Sequence, residues 1–213
     1  MVKMTRRGVL GAFSAAPVVG GLGAWATRRA TGDGEKESAR QRLQRLHLPD
    51  VPLVTAQGLA VHFYRDLVKD KQVLINFIFT SCTDDCPVAT ANMARVQQML
   101  GAPVGREIFM YTITLKPDED TPAVLEEYAS RYDVAPGWSF LTGKPADIDR
   151  LRRALGFTYQ DPEDDADPEN HVGMLRYGDE PAMKWAGCPV LGNPQHIVRG
   201  LRWDLMDAPS EAW

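Results

Sequence analysis

Cysteine and histidine are scarce in this chain, with three and four copies in 213 residues. Three cysteines cannot build the framework of a disulfide-stapled domain. Positive charge is not in surplus either. The 24 Lys and Arg stand against 28 Asp and Glu, for a net charge of -4, so the basic face that nucleic-acid binding needs is missing. No internal repeat and no long low-complexity tract is present. The acidic run Asp164, Asp165 and Asp167 lacks the glycine and terminal glutamate of an EF-hand loop, and reads as a solvated loop. What stands out against these absences is that Cys82 and Cys86 lie four residues apart. That spacing puts redox or metal chemistry first among the functions to consider.

At 44% hydrophobic and 24% charged residues, the chain can bury one ordinary core and carry an N-terminal extension. Arg6-Arg7 opens a twin-arginine-like pattern, residues 8–27 are uncharged and rich in Gly and Ala, and Ala24-Trp25-Ala26 offers a small-x-small cleavage site. Residues 1–27 therefore read as an export signal, either a cleaved signal peptide or a retained membrane anchor. The stretch is about long enough to span a bilayer but only weakly apolar. Export puts the folded part in the periplasm or on the outer face of a bacterial inner membrane, where a cysteine pair can form a disulfide bond. Residues 28–50 are charged and form a linker, helical near its end. The domain proper occupies 51–207, and 208–213 are a tail.

Within the domain, strand and helix patterns alternate. Residues 53–55 and 61–64 flank Ala56-Gln57-Gly58 as an N-terminal hairpin. Residues 73–79 and 108–114 are nearly continuous apolar and β-branched runs, as strands buried on both faces should be. A helix opens around Pro87 and stops at Gly101, and a second opens with Thr121 as N-cap and Pro122 behind it. Residues 138–141 form a short strand. Residues 145–155 form a helix with Ile148, Leu151 and Leu155 on one stripe, closed by Gly156. A late hairpin joins 171–177 to 183–186 around Gly178-Asp179, and Asn193-Pro194 opens the last helix. This order predicts an α/β fold with a central sheet flanked by helices and β-hairpins at both ends.

A cysteine pair just after the first long strand, at a helix start, is the thioredoxin arrangement. Helix N-termini carry partial positive charge and free N–H groups, which favour thiolate over thiol. Asp84 and Asp85, between the two cysteines, oppose that effect and could attract a cation or a basic partner. Two thiolates at this spacing can close a disulfide or chelate a soft metal.

Three blocks carry a resemblance to one family. Asn76-Phe77-Ile78-Phe79-Thr80-Ser81-Cys82 through Cys86-Pro87 is similar to the signature of the Sco/SenC copper proteins. Asp118-Glu119-Asp120-Thr121-Pro122 and Trp138-Ser139-Phe140-Leu141-Thr142-Gly143 resemble the segments that follow it in that family, in the same order. The resemblance implies a thioredoxin-like fold that binds copper, as Cu(I) or Cu(II), through Cys82, Cys86 and a distant histidine matching His171. It implies the role of a metallochaperone in cytochrome oxidase assembly, with the copper-bearing subunit of the oxidase or another copper protein as partner.

An alternative stays open, that of a thiol–disulfide oxidoreductase using Cys82 as the exposed nucleophile and Cys86 as the resolving thiol. It has no need of His171. A peroxiredoxin-like peroxidase ranks last, since no Arg is placed beside the pair. The other histidines, His47, His62 and His196, read as surface residues. Met174 and Met183 read as packing residues and Cys188 as a small buried one.

Overall fold

The computed structural model describes residues 37–171 and 173–205. The export signal and the C-terminal tail expected at 1–27 and 208–213 lie outside the described residues. The strands are β1 (Pro52–Thr55), β2 (Ala60–His62), β3 (Gln72–Ile78), β4 (Ile108–Thr114), β5 (Trp138–Gly143), β6 (Met174–Asp179) and β7 (Lys184–Pro189). They form one sheet in the order β2-β1-β5-β4-β3-β6-β7. The three central strands, β5, β4 and β3, run parallel, and hairpins flank them: β1 antiparallel to β5, and β6 antiparallel to β3. The helices are α1 (Ala39–His47), α2 (Asp85–Leu100), α3 (Pro122–Ser130), α4 (Pro145–Ala154), α5 (Pro162–Ala166) and α6 (Pro194–Asp204). None of the described helices is long and apolar enough to cross a membrane.

The parallel centre follows from the apolar runs. Along β3, Val73, Ile75 and Phe77 enter one core and Leu74 and Ile78 the other, all fully buried. The period of two separates one continuous run into two packed faces. Met93, Val96, Leu125, Tyr128, Val198 and Leu201, from α2, α3 and α6, close the first face. Ile148 and Leu151 of α4, with Leu48, Phe63 and Val68, close the second. Asn76 interrupts the apolar run of β3 without leaving it. Its Oδ1 accepts from Thr112 Oγ1 at 2.7 Å, and Thr112 Oγ1 accepts from Trp138 Nε1 at 2.9 Å, so a polar relay crosses three strands inside the core.

Local signals set the helix ends. Thr121 accepts from the Val124 N–H as N-cap of α3, with Pro122 at the first position. Asn193 caps α6 through the Gln195 N–H. Ser38 and Gln41 form a reciprocal capping box at the start of α1. The segment expected as a linker thus holds a formed helix, tied by Arg40 to the buried Glu180.

Three boundaries differ from expectation. β2 ends at His62, and Phe63–Val68 is a π-helical turn rather than strand. The turn buries Phe63 and Val68, and Asp50 accepts the Tyr64 and Arg65 N–H groups at 3.0 Å each. β6 starts at Met174, with His171 in a 3₁₀ turn before it. The late hairpin turns at residues 180–183 rather than at Gly178-Asp179. Gly178 stays in the strand, where a Cβ would lie 2.4 Å from the Trp185 ring.

Candidate metal centre

The chain leaves β3 at Ile78 and reaches α2 at Asp85. Between them, the Cys82 N–H donates to the Phe79 carbonyl at 3.3 Å and closes a tight loop. Asp84 occupies the N-cap position of α2 but makes no side-chain cap bond. A sulfur serves instead. The Cys86 N–H donates to Cys82 Sγ at 3.4 Å, and the Phe79 N–H donates to Cys86 Sγ at 3.4 Å. Each sulfur therefore faces a backbone donor near the positive end of a sixteen-residue helix. Both cysteines are free thiols.

The two differ in access. Cys82 is partly exposed and Cys86 fully buried. Burial pushes the Cys86 thiol far up, and the Phe79 N–H pulls it part of the way back. The neighbouring Cys82 sulfur and Asp85 add to the rise. Asp85 thus acts against thiolate formation, as its charge predicts. A metal that took both sulfurs would displace the Cys86 proton.

The loop is clamped from below by Asp120. This fully buried carboxylate accepts the Thr80 N–H at 3.1 Å, the Thr80 hydroxyl, and the Thr114 hydroxyl at 2.5 Å. Ser81 Oγ donates to Glu119 at 3.2 Å, and Lys116 Nζ sits 4.3 Å from the centre of the Phe79 ring. The Asp118-Glu119-Asp120 block therefore supports the cysteine loop directly, a role its sequence alone did not reveal. The signal available was its place one strand after the cysteines.

His171 arrives from the other side. β6 is antiparallel to β3 with Leu175 opposite Asn76, so the turn that precedes β6 enters at the sheet end where the cysteine loop leaves. Its imidazole is 3% exposed and lines a cavity of about 200 Å³ with Leu115, Ile148, Arg152 and Asp165. Nε2 lies 2.9 Å from the Asp165 carbonyl oxygen and 3.0 Å from Arg152 Nη1, and Nδ1 has no partner. Among the described residues, no three His, Cys, Asp or Glu side chains stand together as a metal site. The structure thus brings Cys82 and Cys86 together and holds the His171 side chain in its own pocket.

Asp165, expected in a solvated loop, is instead buried. The Arg152 guanidinium and the Tyr159 N–H hold its carboxyl well below the usual carboxylate range. Arg152 had a signal in the sequence: it stands on the apolar stripe of Ile148, Leu151 and Leu155, where an unpaired charge would be costly. Met174 and Met183 are exposed rather than packed. Met174 opens β6, and Met183 sits in the hairpin turn with φ of 55°. Cys188 lies on β7 opposite Leu175, half-buried against the first core.

A thioredoxin-like sheet with two free cysteines at the start of α2, the helix that follows β3, defines the class. The chain belongs to the SCO1/SenC family, whose model matches residues 52–175, more than half of the sequence. A protein of Stutzerimonas stutzeri named for copper binding is 33% identical over 97 residues, 46% of this chain and 47% of that one. A SCO2-like protein of Rickettsia felis is 32% identical over 110 residues, 52% of each chain. The matched segments span about half the length of these relatives. Among solved structures, ScoI of Bradyrhizobium japonicum with copper bound shares the fold at 24% identity and a TM-score of 0.56, covering 72% of this chain and 96% of that one. A SCO1/SenC family lipoprotein of Bacillus anthracis shares it at 23% identity and a TM-score of 0.61, covering 75% and 95%.

Proposed function

We propose that this chain is an exported copper metallochaperone that serves the binuclear copper site of cytochrome oxidase, holding its cargo through Cys82, Cys86 and His171. The carrying observation is the cysteine pair at the start of α2, each sulfur facing a backbone N–H, in a chain of the SCO1/SenC family. Two thiolates and one imidazole make a soft, three-coordinate site that suits copper(I) and tolerates copper(II). His171 enters at the right end of the sheet and keeps one buried nitrogen without a partner. Its side chain would have to turn from its pocket toward the sulfurs. Copper would pass to the copper-bearing subunit of the oxidase, or to another copper protein, by ligand exchange. The arginine pair and the uncharged stretch at 1–27 support export to the periplasm or an anchor on its membrane face.

A second reading has its own observation. The cysteine pair is complete without His171, with a partly exposed Cys82 to attack and a buried Cys86 to resolve. That is the layout of a thiol–disulfide oxidoreductase.

One titration separates the two. The reduced chain is loaded with copper(I) against a competing chelator, alongside Cys82→Ala, Cys86→Ala and His171→Ala. A metallochaperone loses tight binding in the two cysteine variants and weakens in His171→Ala. Equal binding by wild type and His171→Ala removes the third ligand. Disulfide turnover without copper binding selects the oxidoreductase.

A further inference from the structure

The surroundings of His171 allow a proton count. Arg152 is buried on the apolar stripe of α4, and its terminal nitrogens carry two hydrogens each. Nη1 donates to the Phe157 carbonyl at 2.6 Å and to Asp165 Oδ1 at 2.8 Å. Nη2 donates to Asp149 Oδ1 at 2.8 Å and to Asp165 Oδ2 at 3.0 Å. These contacts engage all four hydrogens, and His171 Nε2, also 3.0 Å from Nη1, is offered at most a share of one. The other neighbour of Nε2 is the Asp165 carbonyl, at 2.9 Å, which can only accept. With the proton of a neutral ring on Nε2, the ring donates to that carbonyl and its lone pair sits on Nδ1. Nδ1 is the ring atom that is buried and has no partner.

We propose that Arg152 and Asp165 are positioning residues for His171: their ion pair fixes the Asp165 carbonyl, and that carbonyl fixes the Nε2–H tautomer, leaving Nδ1 free to take a metal. The proposal rests on the reading of His171 as third ligand. Three features carry it. The fork between Arg152 and Asp165 is bidentate and buried, which sets direction as well as attraction. Histidine ligands are commonly oriented through the nitrogen that does not bind the metal, often by a carbonyl. The Nε2–H bond is also local, joining residues six apart in the segment 165–171. It sets the tautomer before the ring turns toward the cysteines.

The test uses the reduced full chain with ¹⁵N-labelled histidine, at a pH where free imidazole is neutral. Long-range ¹H–¹⁵N correlation spectra distinguish Nε2–H from Nδ1–H directly. The metal-free wild type is expected to show His171 as a single Nε2–H tautomer. Arg152→Met, checked for folding by its amide spectrum, is expected to show a mixture. Added copper(I) should move the Nδ1 signal and leave the Nε2 proton in place. An Nδ1–H ring in the metal-free wild type overturns the positioning role, and so does a folded Arg152→Met with an unchanged tautomer. Wild type needs no variant to fold, so its spectrum alone can refute the proposal. Copper that shifts cysteine signals and leaves His171 unmoved overturns the third-ligand reading itself, and the positioning role with it.

Discussion

The N–H of Cys86 donates to the sulfur of Cys82 at 3.4 Å, so the first turn of α2 is capped by one of its own functional thiols. The other sulfur is sealed in the core under the Phe79 N–H. Two thiols four residues apart therefore have different chemistry. Brief alkylation of the reduced chain near neutral pH should label Cys82 and spare Cys86, because burial keeps the Cys86 thiol protonated and inaccessible. Peptide mass mapping reads the two sites separately. Equal labelling would show that the pair is not asymmetric.

Asp120 links that asymmetry to the fold. It satisfies three donors, from Thr80 and Thr114, at a fully buried position. Asp120→Ala leaves those donors unpaired and should destabilise the chain by about 2–4 kcal/mol. It should also free the loop that covers Cys86, so its alkylation accelerates relative to wild type. Urea denaturation and the same mass mapping check both effects. A variant that loses stability but still protects Cys86 would separate the clamp from the cysteine loop.

The readable parts of this chain and the unreadable ones differ in the distance over which their causes act. β3 and β4 announced themselves because a strand covered on both faces must be apolar at nearly every position. α3 was readable from Thr121-Pro122, a signal contained in two residues. The π-helical turn at Phe63–Val68 was not, since Val61 and Phe63 continue the strand alternation. What bends the chain there is Asp50, 14 residues before Tyr64, together with the pocket for Phe63. The cysteines were placed by local spacing. The His171 pocket depends on Arg152, marked only by its place on an apolar stripe, and Asp165, unremarkable alone, which meet when α4 and α5 pack together. β6 starts later than its pattern suggests for the same reason: His171 is held by the Arg152 side chain and the Asp165 carbonyl rather than by the strand ladder.

Gly137 gives a purely structural prediction. It precedes β5 with φ of 95°, and its carbonyl accepts the Met110 N–H at 2.8 Å. A Cβ there would lie 2.4 Å from the Gly105 nitrogen and 2.5 Å from its Cα, backbone that cannot step aside. Gly137→Ala should cost about 2–4 kcal/mol, from the left-handed backbone and the clash together. Gly58 has a similar φ of 79° and open space around it. Gly58→Ala should cost only about 1–2 kcal/mol, the backbone term alone. Matched urea curves with unchanged slope compare the two. Equal costs would mean that the contact between the 105 and 137 loops yields easily.

Glu180 sets an acid limit on stability. It is 1% exposed, and accepts from Arg40 at 2.5 and 2.7 Å, Tyr64 Oη at 3.0 Å and the Asp70 N–H at 2.8 Å. Burial pushes its carboxyl up, but these hydrogen bonds outweigh burial and hold it below the ordinary 4.5. A carboxyl lowered in the folded state contributes stability above its unfolded value, and that contribution is lost as pH falls through the folded value. Wild type should therefore keep this share of its stability at neutral pH and lose it below 4.5. Glu180→Gln removes the ionisation and should flatten that part of the profile. Arg40→Ala leaves burial less opposed, so the loss should begin at higher pH than in wild type. Urea denaturation across the acid range reads all three profiles. An Arg40→Ala curve that falls at the same pH as wild type would show that α1 does not hold the Glu180 charge in place.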